Sequence, residues 1–342
     1  MARKTVYNNI VTEELYAQVN KENLELADEF VEYLKSLDKS PATIKQYVND
    51  LKICFVWNLL NNKNKFFIEF SKRDIMKYQN YLVNELGQSS SRVRRLKSAI
   101  SSMSNFIEAI LDEDYPNFRN IVNKIPAPDK SIAREKTVLK EEDVKKLLDY
   151  LVENKRYQQA CCFALAVASG ARKAELTRFK VEYFKDEYIQ FGALYKTPEK
   201  IKTKGRSSKG KLLHKYALVS TLKPYLDLWL KQRKELEIDS EYLFVAKNGG
   251  VYTQAKPTTL DAWSKTFSRI LEKDFYWHSL RHLFVTNLCQ NNIPAEIIKD
   301  IVGWTDTTLI STYNDSSVDD ELGKYFDKDG VKNMEKKSFG DL

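Results

Sequence analysis

Tyr115-Pro-Asn-Phe-Arg-Asn-Ile-Val-Asn-Lys-Ile-Pro-Ala-Pro-Asp129 is the stretch that divides the chain. A residue ahead of proline is pushed out of the helical region, so Tyr115-Pro116 and Ile125-Pro126 each stop a helix that reaches them. Before the break the periodicity is helical. Leu26, Phe30, Tyr33, Leu34 and Leu37 share one face at steps of three and four. Ser40-Pro41 opens a second helix, with serine as cap and proline at the first position, and its apolar face runs Ile44, Tyr47, Val48, Leu51, Phe55. Ser71-Lys-Arg-Asp74 reads as a capping box ahead of Ile75, Tyr78, Tyr81 and Leu82. A fourth helix starts near Ser89–Ser91 and carries Val93, Leu96, Ile100, Met103, Phe106, Ile107 and Ile110.

Beyond the break the pattern is mixed. A helix from Val138 presents Val144, Leu147, Leu148 and Leu151. Tyr157–Ser169 is apolar nearly all round, which predicts a buried central helix stopped by Gly170. Val181–Phe184, Tyr188–Phe191, Glu199–Lys204 and Leu213–Val219 read as short strands between turns. Helices return at Thr221–Leu236, Pro257–Leu271, His278–Asn291 and Pro294–Val302. The expected fold is mainly α in two domains. A leader (1–21) precedes a four-helix domain (22–120). A linker (121–135) then leads to an α+β domain with a small antiparallel sheet (136–326) and a charged tail (327–342).

The chain has 342 residues, 43% hydrophobic and 30% charged, with only 11 Gly and 8 Pro, which excludes collagen-like and low-complexity architectures. Lys and Arg total 55 against 47 Asp and Glu, a net +8 that suits a polyanionic partner. Met1–Lys21 is polar, and the longest apolar run, Ala160–Ala168, is half of what a bilayer needs, so neither a secretory signal nor a membrane span is expected. The cysteines at 54, 161, 162 and 289 lack metal spacing, consistent with reduced thiols in a cytoplasmic protein.

The residues with most chemical content lie in the second half. Trp277-His278-Ser279-Leu280-Arg281-His282 opens a helix with apolar Leu283, Phe284 and Leu288. Upstream is Ser169-Gly-Ala-Arg172-Lys-Ala-Glu175-Leu176, and between them lies a lysine-rich hairpin. Downstream come Val302-Gly303-Trp304 and, nine residues on, Tyr313. Breaking a phosphodiester by covalent catalysis needs a nucleophile, charge stabilisation of the phosphorane and a proton for the leaving oxygen. A phenol of pKa ≈ 10 costs ~4 kcal/mol to deprotonate at pH 7, so Tyr313 would need nearby cations and a base. Arg172 and Arg281 suit nonbridging phosphate oxygens, because guanidinium matches them in bidentate fashion. Such preorganised donors are each worth ~2.7–4 kcal/mol. His278 can take or share a proton near neutral pH, a hairpin lysine can protonate the departing oxygen, and Trp304 offers one N–H. Glu175, one turn after Arg172, is placed to orient a guanidinium.

This ordered set resembles the tyrosine recombinase (phage integrase) family, which carries the same boxes in the same order, with the tyrosine nine residues after the Gly-His or Gly-Trp box. Ser40-Pro-Ala-Thr-Ile-Lys-Gln-Tyr47 is similar to the opening of that family's core-binding (SAM-like) domain. The resemblance covers residues 24–326. It implies a site-specific DNA recombinase or integrase that cleaves and rejoins DNA through a 3′-phosphotyrosyl link at Tyr313, with Arg172, His278, Arg281 and Trp304 around the phosphate. It further implies no metal and no nucleotide cofactor. The partners it implies are double-stranded DNA with specific core sites, a homotetramer on two duplexes, and accessory directionality or bending proteins. A cytoplasmic, nucleoid-associated location and a role in integrating or excising a mobile element or prophage follow. Trp304 stands where most members have His. The hairpin is longer than the common form, and its acid is Lys204, ahead of Gly205, or else Lys202.

Each residue also has a plainer reading. Tyr276 and Tyr325, among 19 tyrosines, read as packing and tail docking, His282 as support for its helix, His214 as an ordinary strand residue. Lys196–Lys215 holds eight basic residues and one acid, Glu199, so phosphate contact through Lys202, Arg206 and Lys209 is expected there. Arg92, Arg94, Arg95 and Lys97 form a second cluster behind Ser89–Ser91, and Lys45 with Lys52 marks the polar side of the second helix. The rivals are a chromosome-dimer-resolving recombinase, a type IB topoisomerase, and a non-catalytic DNA-binding protein.

Overall fold

A computed structural model describes residues 10–129, 137–205, 209–314, 326–327 and 330–331. The chain forms two compact units, one of residues 1–135 with 205–210 and the other of residues 136–204 with 211–342.

The first unit is helical. A one-turn helix, α1 (Glu13–Tyr16), precedes α2 (Lys21–Ser36), α3 (Pro41–Asn61), α4 (Lys72–Asn80) and α5 (Ser90–Ile110). Side chains that satisfy orphan N–H groups set the starts. Asn20 accepts from the Glu22 amide at 2.9 Å, Ser40 from Thr43 at 3.2 Å and Ser89 from Arg92 at 3.4 Å. Ser71 and Asp74 form the expected reciprocal box. The second half of α3 departs from the one-face expectation: Ile53 through Asn58 are all buried. Asn23 and Asn58 both donate to the Lys65 carbonyl, drawing the segment after α3 across the helix and closing its outer face. Leu37 and Ile110, placed on apolar faces by the spacing, sit at helix ends and are exposed. The leader is not a separate piece where described, because Ile10 and Val19 are buried in this unit's core.

The second unit is built around α7. It contains α6 (Glu141–Glu153), α7 (Tyr157–Ser169), the short α8 (Lys173–Leu176), α9 (Val219–Glu235), α10 (Pro257–Leu271), α11 (Trp277–Gln290), α12 (Ala295–Val302) and α13 (Ile310–Tyr313). Ala160–Ala166 are fully buried, as an all-round apolar helix requires. Strands β1 (Ile189–Gln190), β2 (Leu194–Lys196), β3 (Ile201–Thr203), β4 (Lys211–Leu213) and β5 (Tyr216–Leu218) are antiparallel throughout. They form a three-stranded sheet β1-β2-β5, and the β3–β4 hairpin, a separate two-stranded sheet, falls between β2 and β5 in chain order. Lys202 pairs with Leu212 across that hairpin.

In the second unit one expectation is corrected and one element is added. Val181–Phe184 is a 3-10 turn rather than a strand, because Tyr183 and Phe184 both turn inward to pack with Phe179. Residues 245–254, where the spacing sets no element, form the hairpin β6 (Val245–Asn248) and β7 (Val251–Gln254) around Gly249-Gly250. Phe326–Asp327 and Gly330–Val331 pair as β8 and β9. The expected tail otherwise lies outside the described residues. Among the described residues no helix is long and apolar enough to cross a membrane, and none of the four cysteines forms a disulfide.

Candidate active site

The site is assembled from helix ends and turns that surround the start of α11. Helix α7 terminates at Gly170 in the left-handed conformation, φ 57°. That turn sets Arg172 as the N-cap residue of α8, three positions before Glu175. A Cβ at 170 would strike the Phe284 ring on α11. Gly170→Ala therefore combines left-handed strain with an overpacked contact, and a loss of about 2–4 kcal/mol in urea unfolding is the expected result.

Arg281 is 1% exposed. Its Nη1 donates to the Gly170 carbonyl at 2.8 Å and its Nη2 to the Val302 carbonyl at 2.9 Å. One guanidinium thus ties the ends of α7 and α12 to α11. Its Nε has no acceptor among the described residues, and neither has the buried indole Nε1 of Trp304. Two donors without acceptors beside one another suit an anion. Burial, then Arg172 nearby, pushes the Arg281 pKa down to about 10 against the pull of Glu175 and Tyr313, so it keeps its charge at neutral pH.

Tyr313, on α13, is held among rings. His282 stacks on it at 4.6 Å between centroids, Trp304 lies tilted at 4.7 Å, and His278 meets it edge-on at 5.2 Å. Its Oη lies 2.9 Å from His278 Nε2. In the tautomer with its proton on Nδ1, that nitrogen accepts the phenol's hydrogen. The His278 edge faces solvent at the site mouth. Even so, loss of water around the ring, and then the charges of His282, Arg281, Arg172 and Lys204, push its pKa down to about 4. The ring is neutral at pH 7 and competent as a base. We expect the acid limb of kcat/KM, which reports the free enzyme, to show no loss of this base through pH 6.5 and to fall only toward pH 4. A limb centred on 6.5 that vanishes in His278→Ala would refute this. The unfolded ring takes its proton near 6.5 and the folded ring near 4, so this group lowers stability as pH falls between those values and has no effect above them.

Arg172 Nη1 donates to Glu175 Oε1 at 2.9 Å, and its amide to Oε2 at 3.0 Å. Glu175 also meets a residue that the sequence reading grouped only with the surface charges: Lys215 Nζ lies 2.8 Å from Oε2, and the two side chains are 3% and 1% exposed. Burial alone would raise the Glu175 pKa, but Lys215 and Arg172 outweigh it and hold it below the ordinary range. The signal that could have singled out Lys215 is parity, since it lies two positions before buried Ala217, just ahead of β5, and so shares its inward face.

Lys202 and Lys204 are both exposed on the hairpin. The hairpin is anchored by Arg178 donating to the Lys202 carbonyl and by Thr203 Oγ1 donating to the Lys211 carbonyl at 3.0 Å. The charge of Lys204 bears on His278. Lys209 is exposed near the turn, and Arg206 lies outside the described residues. His214 sits at the β4–β5 turn with Nδ1 2.7 Å from the Thr197 carbonyl.

In the first unit the basic cluster is only partly a surface. Arg92 and Arg95 both bond the buried Asp50, at 2.8 and 3.3 Å, a partner that sequence reasoning missed. Arg94 donates to the Pro128 carbonyl at 2.9 Å. Lys97 does not join them outside: it is 5% exposed and donates to Gln79 Oε1 and the Ile125 carbonyl, because it falls one turn after Val93 on the inward side of α5. Lys45 is exposed, and Lys52 Nζ covers the Tyr16 ring at 4.2 Å. Among the described residues no three His, Cys, Asp or Glu side chains are grouped to hold a metal.

Residues 137–319 match the model of the phage integrase family, and residues 26–117 match that of the phage integrase N-terminal SAM-like domain. The chain is 32% identical over 323 residues to the SPbeta prophage-derived recombinase-like protein YomM of Bacillus subtilis (strain 168), covering 92% of this chain and 94% of the relative. It is 24% identical over 300 residues to a tyrosine recombinase XerC-like protein of Caldanaerobacter subterraneus subsp. tengcongensis, covering 80% and 73%. In fold it is similar to a lambda integrase fragment solved as a dimer on a COC′ core site, with TM-score 0.61, 16% identity and 91% and 99% of the two chains covered. With both units matched and a relative aligned along nearly its whole length, the chain belongs to the phage integrase family of tyrosine recombinases.

Proposed function

We propose that this chain recombines DNA at specific core sites with Tyr313 as its nucleophile. The observation that carries the assignment is Tyr313 Oη at 2.9 Å from a neutral His278, beside Arg281. The phenol gives its proton to His278 Nε2 and attacks the scissile phosphorus. The P–O5′ bond breaks, a 3′-phosphotyrosyl ester forms, and the 5′ oxygen leaves with a proton from Lys204. A 5′-hydroxyl from another strand reverses each step, so the ester conserves the bond energy. Arg172, Arg281 and the Trp304 N–H bear the charge that develops on the phosphorane. Arg92, Arg94, Arg95, Lys45, Lys202 and Lys209 serve as phosphate or base contacts, and Glu175 and His282 orient the groups beside them. The reading includes a homotetramer on two duplexes, a cytoplasmic nucleoid location, and integration or excision of a mobile element. The alignment with a prophage-derived relative supports the last of these, and lambda integrase solved as a tetramer on a Holliday junction supports the first.

The test uses a nicked duplex carrying a core site recovered by selection from random DNA. The nick lets the short 5′ fragment escape and traps the ester. A covalent protein–DNA adduct mapping to Tyr313 is expected, and a site that binds tightly yet yields no adduct would support a binding protein instead.

Lys204→Ala should lose about 10²–10⁴-fold in cleavage rate, the range for general acid catalysis. Replacing the bridging 5′ oxygen by sulfur, which leaves without a proton, should restore that rate. Rescue of Lys202→Ala in place of Lys204→Ala would move the acid to Lys202.

A further inference from the structure

The carboxylate of Glu175 raises an electrostatic difficulty that its bond to Arg172 does not resolve. A buried anion on the guanidinium fixes its direction, but it also subtracts from the positive field that Arg172 presents. Its second oxygen is taken by Lys215, at 2.8 Å and away from water. We propose that Lys215, a residue of β5's entrance rather than of the hairpin tip, is a positioning residue for strand cleavage: it keeps Glu175 ionised and offsets its charge, so that Arg172 is aimed without its positive field toward the phosphate being cancelled. The inference rests on the recombinase reading.

Three features carry it. The ammonium is 3% exposed, so it is no surface lysine, and a charge so placed persists only where it is paired. The backbone fixes it independently, since the Lys215 amide donates to Thr197 Oγ1 at 3.0 Å and the Thr197 amide to the Lys215 carbonyl at 3.0 Å. The groups facing Glu175 are Arg172 on α8, Lys215 at β5 and, at longer range, Arg281 on α11, which leaves Lys215 as the main counter-charge apart from the guanidiniums themselves. Without it the carboxyl would protonate more readily. A protonated Glu175 loses the oxygen that receives the Arg172 amide or its guanidinium, and Arg172 would swing free.

The experiment compares Lys215→Gln and Lys215→Arg with the full-length wild type on the nicked core-site duplex. Glutamine can still bond Glu175 but carries no charge, and arginine keeps the charge. Lys215→Gln should cleave on the order of tenfold to a hundredfold more slowly, with DNA affinity within about threefold of wild type. The acid limb of its rate should move to higher pH as Glu175 titrates. A 5′-bridging sulfur should not rescue it, in contrast to Lys204→Ala. Lys215→Arg should recover most of the rate. Glu175→Gln combined with Lys215→Gln should be no slower than the worse single variant, because both act through Arg172. Cleavage by Lys215→Gln within threefold of wild type would overturn the proposal. So would sulfur rescue, which would make Lys215 a proton donor, or failure of both variants to fold, which would make its role purely structural. If the wild type itself forms no adduct, the recombinase reading falls instead, and the two failures are told apart by that control.

Discussion

Tyr313→Phe should abolish the covalent adduct and strand exchange, by at least about four orders of magnitude in single-turnover cleavage, while core-site affinity stays within about threefold. Loss of an attacking oxygen leaves no path to the ester, and knock-outs of this kind cost up to ~10⁶ in other enzymes with covalent intermediates. The ring itself should stay in place. Its contacts with His282, Trp304 and His278 are aromatic and persist without the hydroxyl, so folding should be almost unaffected. Measured adduct formation by the phenylalanine variant at even a hundredth of the wild-type rate would remove Tyr313 from its role and reopen the search among the other tyrosines.

Arg281→Lys should show both a catalytic and a structural loss. The guanidinium spans two carbonyls from different helices, Gly170 and Val302, while lying 5.4 Å from the Trp304 ring and 5.9 Å from that of Tyr313. An ammonium is a point donor and cannot reproduce that fork. One buried carbonyl is left without its donor, at about 1–3 kcal/mol, which for a unit of this size lowers Tm by about 2–4 °C per kcal/mol. Cleavage should fall by about 10²–10³. The two losses separate by measurement: calorimetry reads the first, and single-turnover cleavage well below Tm reads the second. A lysine variant that cleaves within tenfold of wild type would show that Arg281 only braces the helices.

Much of this was legible in the residues. Helices were readable where a cap and an apolar period coincide, as at Ser40-Pro41, Ser71–Asp74 and Ser89, because both signals are local. His278 and Arg281 stand one turn apart on α11, so their shared direction was implied by spacing alone. The Gly170 stop was equally local. What escaped depended on partners distant in sequence. Lys215 gains its meaning from Glu175, forty positions earlier, and Asp50 from arginines on another helix. Lys97 was grouped with its charged neighbours by proximity along the chain, although its spacing from Val93 already placed it on the inner side of α5. The β6–β7 hairpin did carry a signal, Asn248-Gly249-Gly250 between alternating residues, and both glycines adopt positive φ there. Val181–Phe184 misled because an aromatic-rich run satisfies the strand pattern while its two rings are claimed by one core.

The packing of Trp304 against Tyr313 also provides an optical gauge of whether Tyr313 is seated. The chain's other tryptophans are at 57, 229, 263 and 277. With those replaced by phenylalanine, indole emission would report from this position alone. A tyrosine drawn away, whether by an adjoining protomer or on engaging a strand, would expose that indole and redden its spectrum. The movement could then be timed in a stopped-flow instrument without attaching a dye.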